Sequence, residues 1–377
     1  MKAKSIKGNS PSEIKTALEQ NVADGYKPTL AIVFLSVKQD RDAICKVLDE
    51  AGIAIFGATT NGEFTGEGIT KGSIAILLFD MNRDYFRILF EEFPDKNYRE
   101  LAAKMARNAL EIFPNPAFLI AGSNLNTDAE ELLHGFEDIV GKQVNVTGGM
   151  AGDDFAFKEQ YVFTNNQSNN NGLVVIVLDE DKISIKGRAT SGWSAVGTEK
   201  TVTKSVGNHV YTIDDTPVLD LVIKYGGLKN VTPENFALEH SITLLLQLQR
   251  QCGDPVIRAG LVVDWNDRSY YCSGTVPQGS KVRFSIAPDV DVIEKVIKGC
   301  EDLKASEMPE ADAILLFSCA GRLLSLGPLI DEEIEGIRKV WNVPMAGMFS
   351  NAEMARATNG NLELHGITAC CVVLNEK

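Results

Sequence analysis

One pattern of residues recurs three times along the 377-residue chain and constrains its fold more than any other feature. The first copy runs Leu30-Ala-Ile-Val-Phe-Leu-Ser36, then an amphipathic stretch over 38–51, then Gly57-Ala-Thr-Thr-Asn-Gly-Glu63 and Phe64. The second runs Ala117-Phe-Leu-Ile-Ala-Gly-Ser123, 127–140, then Gly148-Gly-Met-Ala-Gly-Asp-Asp154 and Phe155. The third runs Ala313-Ile-Leu-Leu-Phe-Ser318, 331–341, then Gly347-Met-Phe-Ser-Asn-Ala-Glu353 and Met354. Each apolar strand closes on a Ser, and each acid stands at one offset from a Gly. A helical pattern precedes each copy (11–23, 97–112, 289–303) and an apolar strand follows it (73–79, 173–178, 367–374). Strand, helix, strand at this spacing is a right-handed crossover. The expected fold is α/β, with two halves built from duplicated strand–helix–turn–strand units and mixed sheets covered by helices. The halves divide as 1–205, opening on a helix, and 206–377. Ser36, Ser123 and Ser318 are expected in equivalent places.

Local signals agree. Ser10-Pro11-Ser12-Glu13 and Thr127-Asp-Ala-Glu130 are helix starts with capping boxes. Asp80–Asp84 and Asp179–Lys182 read as hairpin turns. Region 182–290 differs: short strands at Lys182–Arg188, Thr201–Ser205, His209–Ile213, Arg258–Asp264, Ser269–Ser273 and Lys281–Ile286, with helical patterns at 216–226 and 233–251.

Charge narrows the function. With 37 basic and 51 acidic residues the net charge is −14, against nucleic-acid binding or docking on anionic lipid. Apolar runs are strand-length, too short to insert in a membrane. The basic, then polar start and seven cysteines without framework spacing point to a cytoplasmic protein with reduced thiols. The four histidines lack metal-ligand spacing.

Ligand-facing loops of such crossovers lie at the strands' carboxyl ends. That makes Asn61, Glu63, Asp154, Asn351 and Glu353 candidates, the acids either receiving a cationic group or capping the next element. Ser318, Cys319 and Arg322 form a polar cluster after an apolar run. Arg322 is the candidate clamp for a carboxylate. Cys319 is either a reactive thiol or a small core residue. Trp193 either floors a pocket or plugs a gap.

Gly57–Glu63, Ser191-Gly-Trp193, Tyr211–Val218, Gly274–Gly279, Ser318–Arg322 and Ala346–Glu353 occur in an order that resembles the FIST family, over about 28–377. One departure is Asn-Ala-Glu at 351–353, where the family tends to Gly-Gly-Glu. The resemblance implies an N-terminal and a C-terminal module of an intracellular sensor for small ligands such as amino acids. It also implies signalling through a separate partner, such as a histidine kinase, since no output domain is recognisable here. Some relatives resemble haem-based nitric-oxide sensors. Three readings follow: a non-catalytic sensor of an amino acid or related carboxylate, needing no cofactor; a haem gas sensor; or an enzyme using Cys319 with a carboxylate.

Overall fold

The three segments fold with one pairing pattern. In the computed structural model, which describes residues 1–123, 126–236, 240, 242, 244–286 and 291–377, Leu30–Ser36 lies parallel to Ala54–Thr60 and antiparallel to Ile74–Phe79. Pro116–Gly122 lies parallel to Val146–Met150 and antiparallel to Gly172–Asp179. Ala313–Cys319 lies parallel to Met345–Ser350 and antiparallel to Ala369–Glu376. The crossover helices are Arg41–Glu50, Ala129–Val140 and Ile330–Trp341. A fourth strand completes each set: Ala3–Gly8, Phe86–Glu92 and Ile183–Thr190, each paired to its set's last strand.

That fourth strand explains why neither expected hairpin forms. Ile74–Phe79 is already flanked by Ala3–Gly8 and Leu30–Ser36, so the chain after Asp80–Asp84 finds no free edge and passes to the second set. Gly172–Asp179 is likewise flanked on both sides, and Ile183–Thr190 passes to the third. The 205/206 boundary therefore does not separate the sheets: Ile183–Thr190 pairs with the C-terminal strand, and Ala195–Val206 ends at that boundary.

The architecture is mixed α/β, and the described residues form three sheets, of six, twelve and eight strands, where the sequence suggested one mixed sheet per half. The eight-stranded sheet is antiparallel and is built from Ala195–Ile286, inserted between Ile183–Thr190 and the helix Asp291–Ser306. The helical pattern at 216–226 is the helix Val218–Gly226. The pattern at 233–251 is overturned in part: Leu244–Leu248 is a strand between Val256–Arg258 and Lys281–Ile286. A short, fully buried apolar run carries no periodicity that separates strand from helix. Residues 237–239, 241 and 243 of that pattern, and 289 and 290 of the one at 289–303, lie outside the described residues.

The three sets close on one another cyclically. The short strand after the first set's turn, Glu63–Thr65, pairs with the third set's Met345–Ser350. The third set's Glu353–Arg356 pairs with the second set's Val146–Met150. The second set's Val162–Phe163 pairs with the first set's Ala54–Thr60. Inner faces of all three share one core, in which Phe34, Phe56, Leu119, Ile176, Phe317 and Met348 are buried. Each outer face is covered by its own helices, for example Ile14 and Ile44 over Val33, or Leu132 and Phe136 over Ile120. Burial on both faces accounts for the continuous apolar runs.

The recurring glycines work at these seams, not in turns. Gly57 faces Phe163, Gly347 faces Phe64 and Gly148 faces Met354 across the inter-set pairs. A Cβ at Gly57 would lie 2.2 Å from the Phe163 ring, and one at Gly347 would lie 2.1 Å from Phe64. We expect Gly347→Ala to destabilise by about 1–3 kcal/mol through overpacking. Denaturant unfolding of Gly347→Ala, Phe64→Leu and the double variant would show coupling, the double costing less than the sum. Simple additivity would remove the seam interpretation.

Candidate functional site

Each seam ends in one of the predicted turns, so the three turns meet. The Asn61 amide donates to Phe349 O at 3.0 Å, Asn351 N to Met150 O at 3.0 Å, and Asp154 N to Thr60 O at 2.9 Å. Side chains tighten the junction. Asn61 Nδ2 donates to Asn351 Oδ1 at 2.9 Å, and Asn351 Nδ2 to Ala151 O at 2.7 Å. Asn61 Oδ1 accepts from the amides of Asp153 and Phe155. Gly152 occupies the third corresponding place, where a Cβ would fall 2.4 Å from Asn61 Nδ2. Ala352 follows Asn351 and is buried against the second set's core.

Glu63 and Glu353 are fully buried and bonded alike. Glu63 accepts from the Thr60 hydroxyl and from Ser73 N and Oγ at 3.1 and 2.9 Å. Glu353 accepts from Ser350 Oγ and Thr368 Oγ1, both at 2.7 Å. Burial pushes their carboxyls up to about 7 and about 8, against the pull of those hydroxyls. Asp154 departs from this pattern. It sits at φ 56°, accepts from Ser36 Oγ at 2.7 Å and meets Lys38 Nζ at 3.1 Å. Its neighbour Asp153 takes the local capping work, accepting from the amides of Phe157, Lys158 and Glu159. The three acids thus do not share one role. Ala151 stands where Thr60 and Ser350 supply a hydroxyl.

The serine correspondence is also corrected. Ser36 N, Ser123 N and Cys319 N donate to Ser73 O, Gly172 O and Thr368 O in matching register. Cys319, not Ser318, is the counterpart of Ser36 and Ser123. Ser318 is fully buried, its Oγ without a partner among the described residues.

Arg322 is fully buried, and its fork is filled from within the protein. Nε reaches Glu333 Oε1 at 3.0 Å, Nη2 bonds Glu333 Oε2, and Nη1 donates to Ser191 O and Ile367 O at 2.6 and 3.1 Å. Its guanidinium also lies 4.9 Å from the Trp193 ring centre. This geometry answers the expected carboxylate clamp with a structural ion pair. Burial pushes the Cys319 thiol up to about 12, which leaves no thiolate for attack near neutral pH. All seven cysteines are unpaired, and Cys252 is the exposed one.

Beyond this cluster, a cavity of about 400 Å³ opens on the third set, where Asp254 and Pro255 from a loop of the inserted segment close one side. Trp193 forms part of its wall, with Thr368, Lys295, Lys298, Asp254 and Asp302 around it. Glu353 reaches this cavity through its bond to Thr368. The Trp193 indole N–H is buried without a hydrogen-bond partner among the described residues. Sequence reasoning missed the lysines because they fall on a helix whose polar face reads as merely solvated. The GITA stretch at 366–369 carried no signal for Thr368. A larger cavity of about 530 Å³ lies along the first set's helices, beside Leu18, Tyr26 and Val47, far from these residues.

The histidines do not fit a haem anchor. His365 borders the 400 Å³ cavity, but its Nε2 lies 3.1 Å from Ala355 O and the surrounding walls carry lysine and aspartate. His209 bonds Ser269, His134 faces Glu137 at 3.8 Å, and His240 stacks on Phe236. Among the described residues no helix is long and apolar enough to cross a membrane. No curated protein matches the chain. The FIST N domain matches residues 29–216 and the FIST C domain residues 219–356, and with most of its length accounted for the chain belongs to this family of sensory proteins.

Proposed function

We propose that the protein is a non-catalytic sensor that binds an amino acid or related small carboxylate and signals through a separate partner, such as a histidine kinase. The observation that carries this reading is the position of the 400 Å³ cavity, where a loop of the inserted segment (Asp254 and Pro255) faces the third set. A ligand there touches both bodies and biases their relative placement, which a partner can read. Lys295 and Lys298 supply positive charge for a carboxylate, Asp254 and Asp302 negative charge for an ammonium, and Trp193 an apolar wall with a donor to satisfy. Lys295 Nζ now rests on Ser194 Oγ at 2.5 Å and Lys298 pairs with Asp302, partners that a ligand would displace. The shared pairing order of the three segments supports their descent from one unit.

Thermal-shift screening of amino acids and small carboxylates tests the reading. A ligand at 100 times its Kd stabilises by about 2.7 kcal/mol. Lys295→Gln/Lys298→Gln is expected to abolish the shift while leaving the unliganded melting temperature within about 1 °C, because single exposed ion pairs contribute little. An undiminished shift in that variant would move the ligand elsewhere.

A further inference from the structure

The outer part of the inserted sheet holds a second cluster that the ligand reading does not use. His209 opens the strand His209–Ile213 and pairs with Tyr271 of Ser269–Cys272, which in turn pairs with Val262 of Gly260–Asp264. In the same ladder Asp264 pairs with Ser269, and the turn between those strands carries Asp267. Arg268 at φ 59° reverses the chain there. A His209 ring nitrogen, an Asp264 carboxylate oxygen and an Asp267 carboxylate oxygen all lie within 4.8 Å of one another.

Several features set this cluster apart from a chance meeting of surface acids. The His209 ring is only 8% exposed and is held by two aromatic neighbours, Tyr211 at 4.0 Å and Tyr271 at 3.9 Å between ring centres. Its Nε2 is thereby aimed at Ser269 Oγ, 2.5 Å away. Ser269 is fully buried and donates its proton to Asp267 Oδ1, so Nε2 carries the proton of the His–Ser bond. Asp264 Oδ1 caps Asn266 N at 2.9 Å, fixing the carboxylate's direction. Among the described residues neither Asp264 nor Asp267 joins an ion pair, and the adjacent Arg268 is turned away onto Asp220. Two carboxylates thus converge on one imidazole nitrogen with no cation between them.

We propose that His209, Asp264 and Asp267, with the Ser269 hydroxyl beside them, bind a divalent first-row transition cation. One imidazole and two carboxylates suit zinc or manganese better than calcium, which takes oxygen alone, or thiolate-seeking metals. Donor bonds of about 2.0–2.2 Å require the three atoms to draw together from their present spacing. The cation takes the lone pair of Nε2, whose proton moves to Nδ1, and the Ser269 hydroxyl, which now fills that direction, must swing aside and turn its oxygen to the metal. Binding clips the 260–272 hairpin to the strand His209–Ile213.

The test uses the full chain carrying Cys252→Ser, which removes the exposed thiol as a competing ligand. After chelation and desalting, Zn²⁺ and Mn²⁺ are titrated by calorimetry, and Mn²⁺ broadening of histidine ring resonances is followed by NMR. One equivalent of either cation is expected, with broadening confined to His209. Asp267→Asn, at an exposed position, should weaken binding at least about tenfold, and Asp264→Asn/Asp267→Asn should abolish it with an unchanged metal-free melting temperature. Unaltered affinity in the double variant, or no saturable binding of either cation below about 1 mM, would overturn the proposal.

Discussion

Raising the pH from 6.5 to 9 is expected to lower the melting temperature, and Glu63→Gln/Glu353→Gln is expected to remove most of that slope. The two carboxyls sit at about 7 and about 8 in the folded protein, against an ordinary 4.5. Between 4.5 and those values the folded state holds more protons than the unfolded one, so stability falls as pH rises. The loss is complete above about pH 8, once both would have to ionise in place. Each displaced unit corresponds to about 1.4 kcal/mol, and since only about two units of the combined displacement lie above pH 6.5, the effect in this window is on the order of 2–3 kcal/mol. His365 acts in another window. Burial pushes its imidazole down to about 3, so its contribution is lost as pH falls from 6.5 toward 3 and does not disturb the alkaline slope. Glutamine preserves the shape, and the hydroxyls of Thr60, Ser350 and Thr368 can turn to meet an amide. A double variant that retains the wild-type slope between pH 6.5 and 9 would show that these carboxylates already ionise freely.

The second large effect concerns Arg322. Removing one partner of a buried ion pair leaves the other charge without compensation, at about 3–5 kcal/mol. Glu333→Gln should therefore destabilise by that order, and Arg322→Lys by a comparable amount. Lysine keeps the charge but cannot bond Glu333, Ser191 O and Ile367 O together. The apolar pair Arg322→Met/Glu333→Leu should recover much of the loss, since well-packed replacements of buried pairs are often neutral. Chemical denaturation of the three variants beside the wild type reads each loss and the recovery. If Arg322→Lys unfolds within about 0.5 kcal/mol of wild type while ligand binding collapses, the guanidinium serves the ligand and the ion pair is incidental.

The elements themselves were legible wherever a signal was local. Ser10 caps its helix, and Leu30–Ser36 and His209–Ile213 begin and end where their apolar and turn residues place them. The cap expected at Thr127, by contrast, falls one residue on, at Asp128, and Glu130 reaches Arg258 instead of the helix start. What sequence could not supply was partner choice. Asp80–Asp84 has hairpin chemistry, but a turn forms a hairpin only if the preceding strand has an open edge, and Ala3–Gly8 had taken it. The glycines were visible and their spacing was informative, yet the reason for them lay in an aromatic ring from another set. Phe163 could not be matched to Phe64 by offset, because the second turn is lengthened by the loop that Asp153 organises. Of the candidate site residues, Asn61 bonds Asn351 across a seam, Glu63 and Glu353 are buried and bonded within their own sets, and Trp193 borders the cavity. The lysines opposite Trp193 were beyond reach of any one-dimensional pattern, because the cavity they face is assembled from segments far apart in the chain, around 189–193, 254–255, 295–302 and 357–368.

The cyclic closure has a mechanical consequence. A linear stack of three bodies has two free ends and can shed one body by breaking a single seam. A ring has no such end, so releasing any set requires breaking two seams at once. Cutting the chain between the FIST N and FIST C matches would strip Met345–Ser350 from Glu63–Thr65, Glu353–Arg356 from Val146–Met150 and Ala369–Glu376 from Ile183–Thr190. The N-terminal fragment would thus present three bare strand edges, the condition under which chains associate with one another. For this protein the boundary between its two named parts marks a stretch of sequence, while the strand pairing runs on across it and around the whole circle.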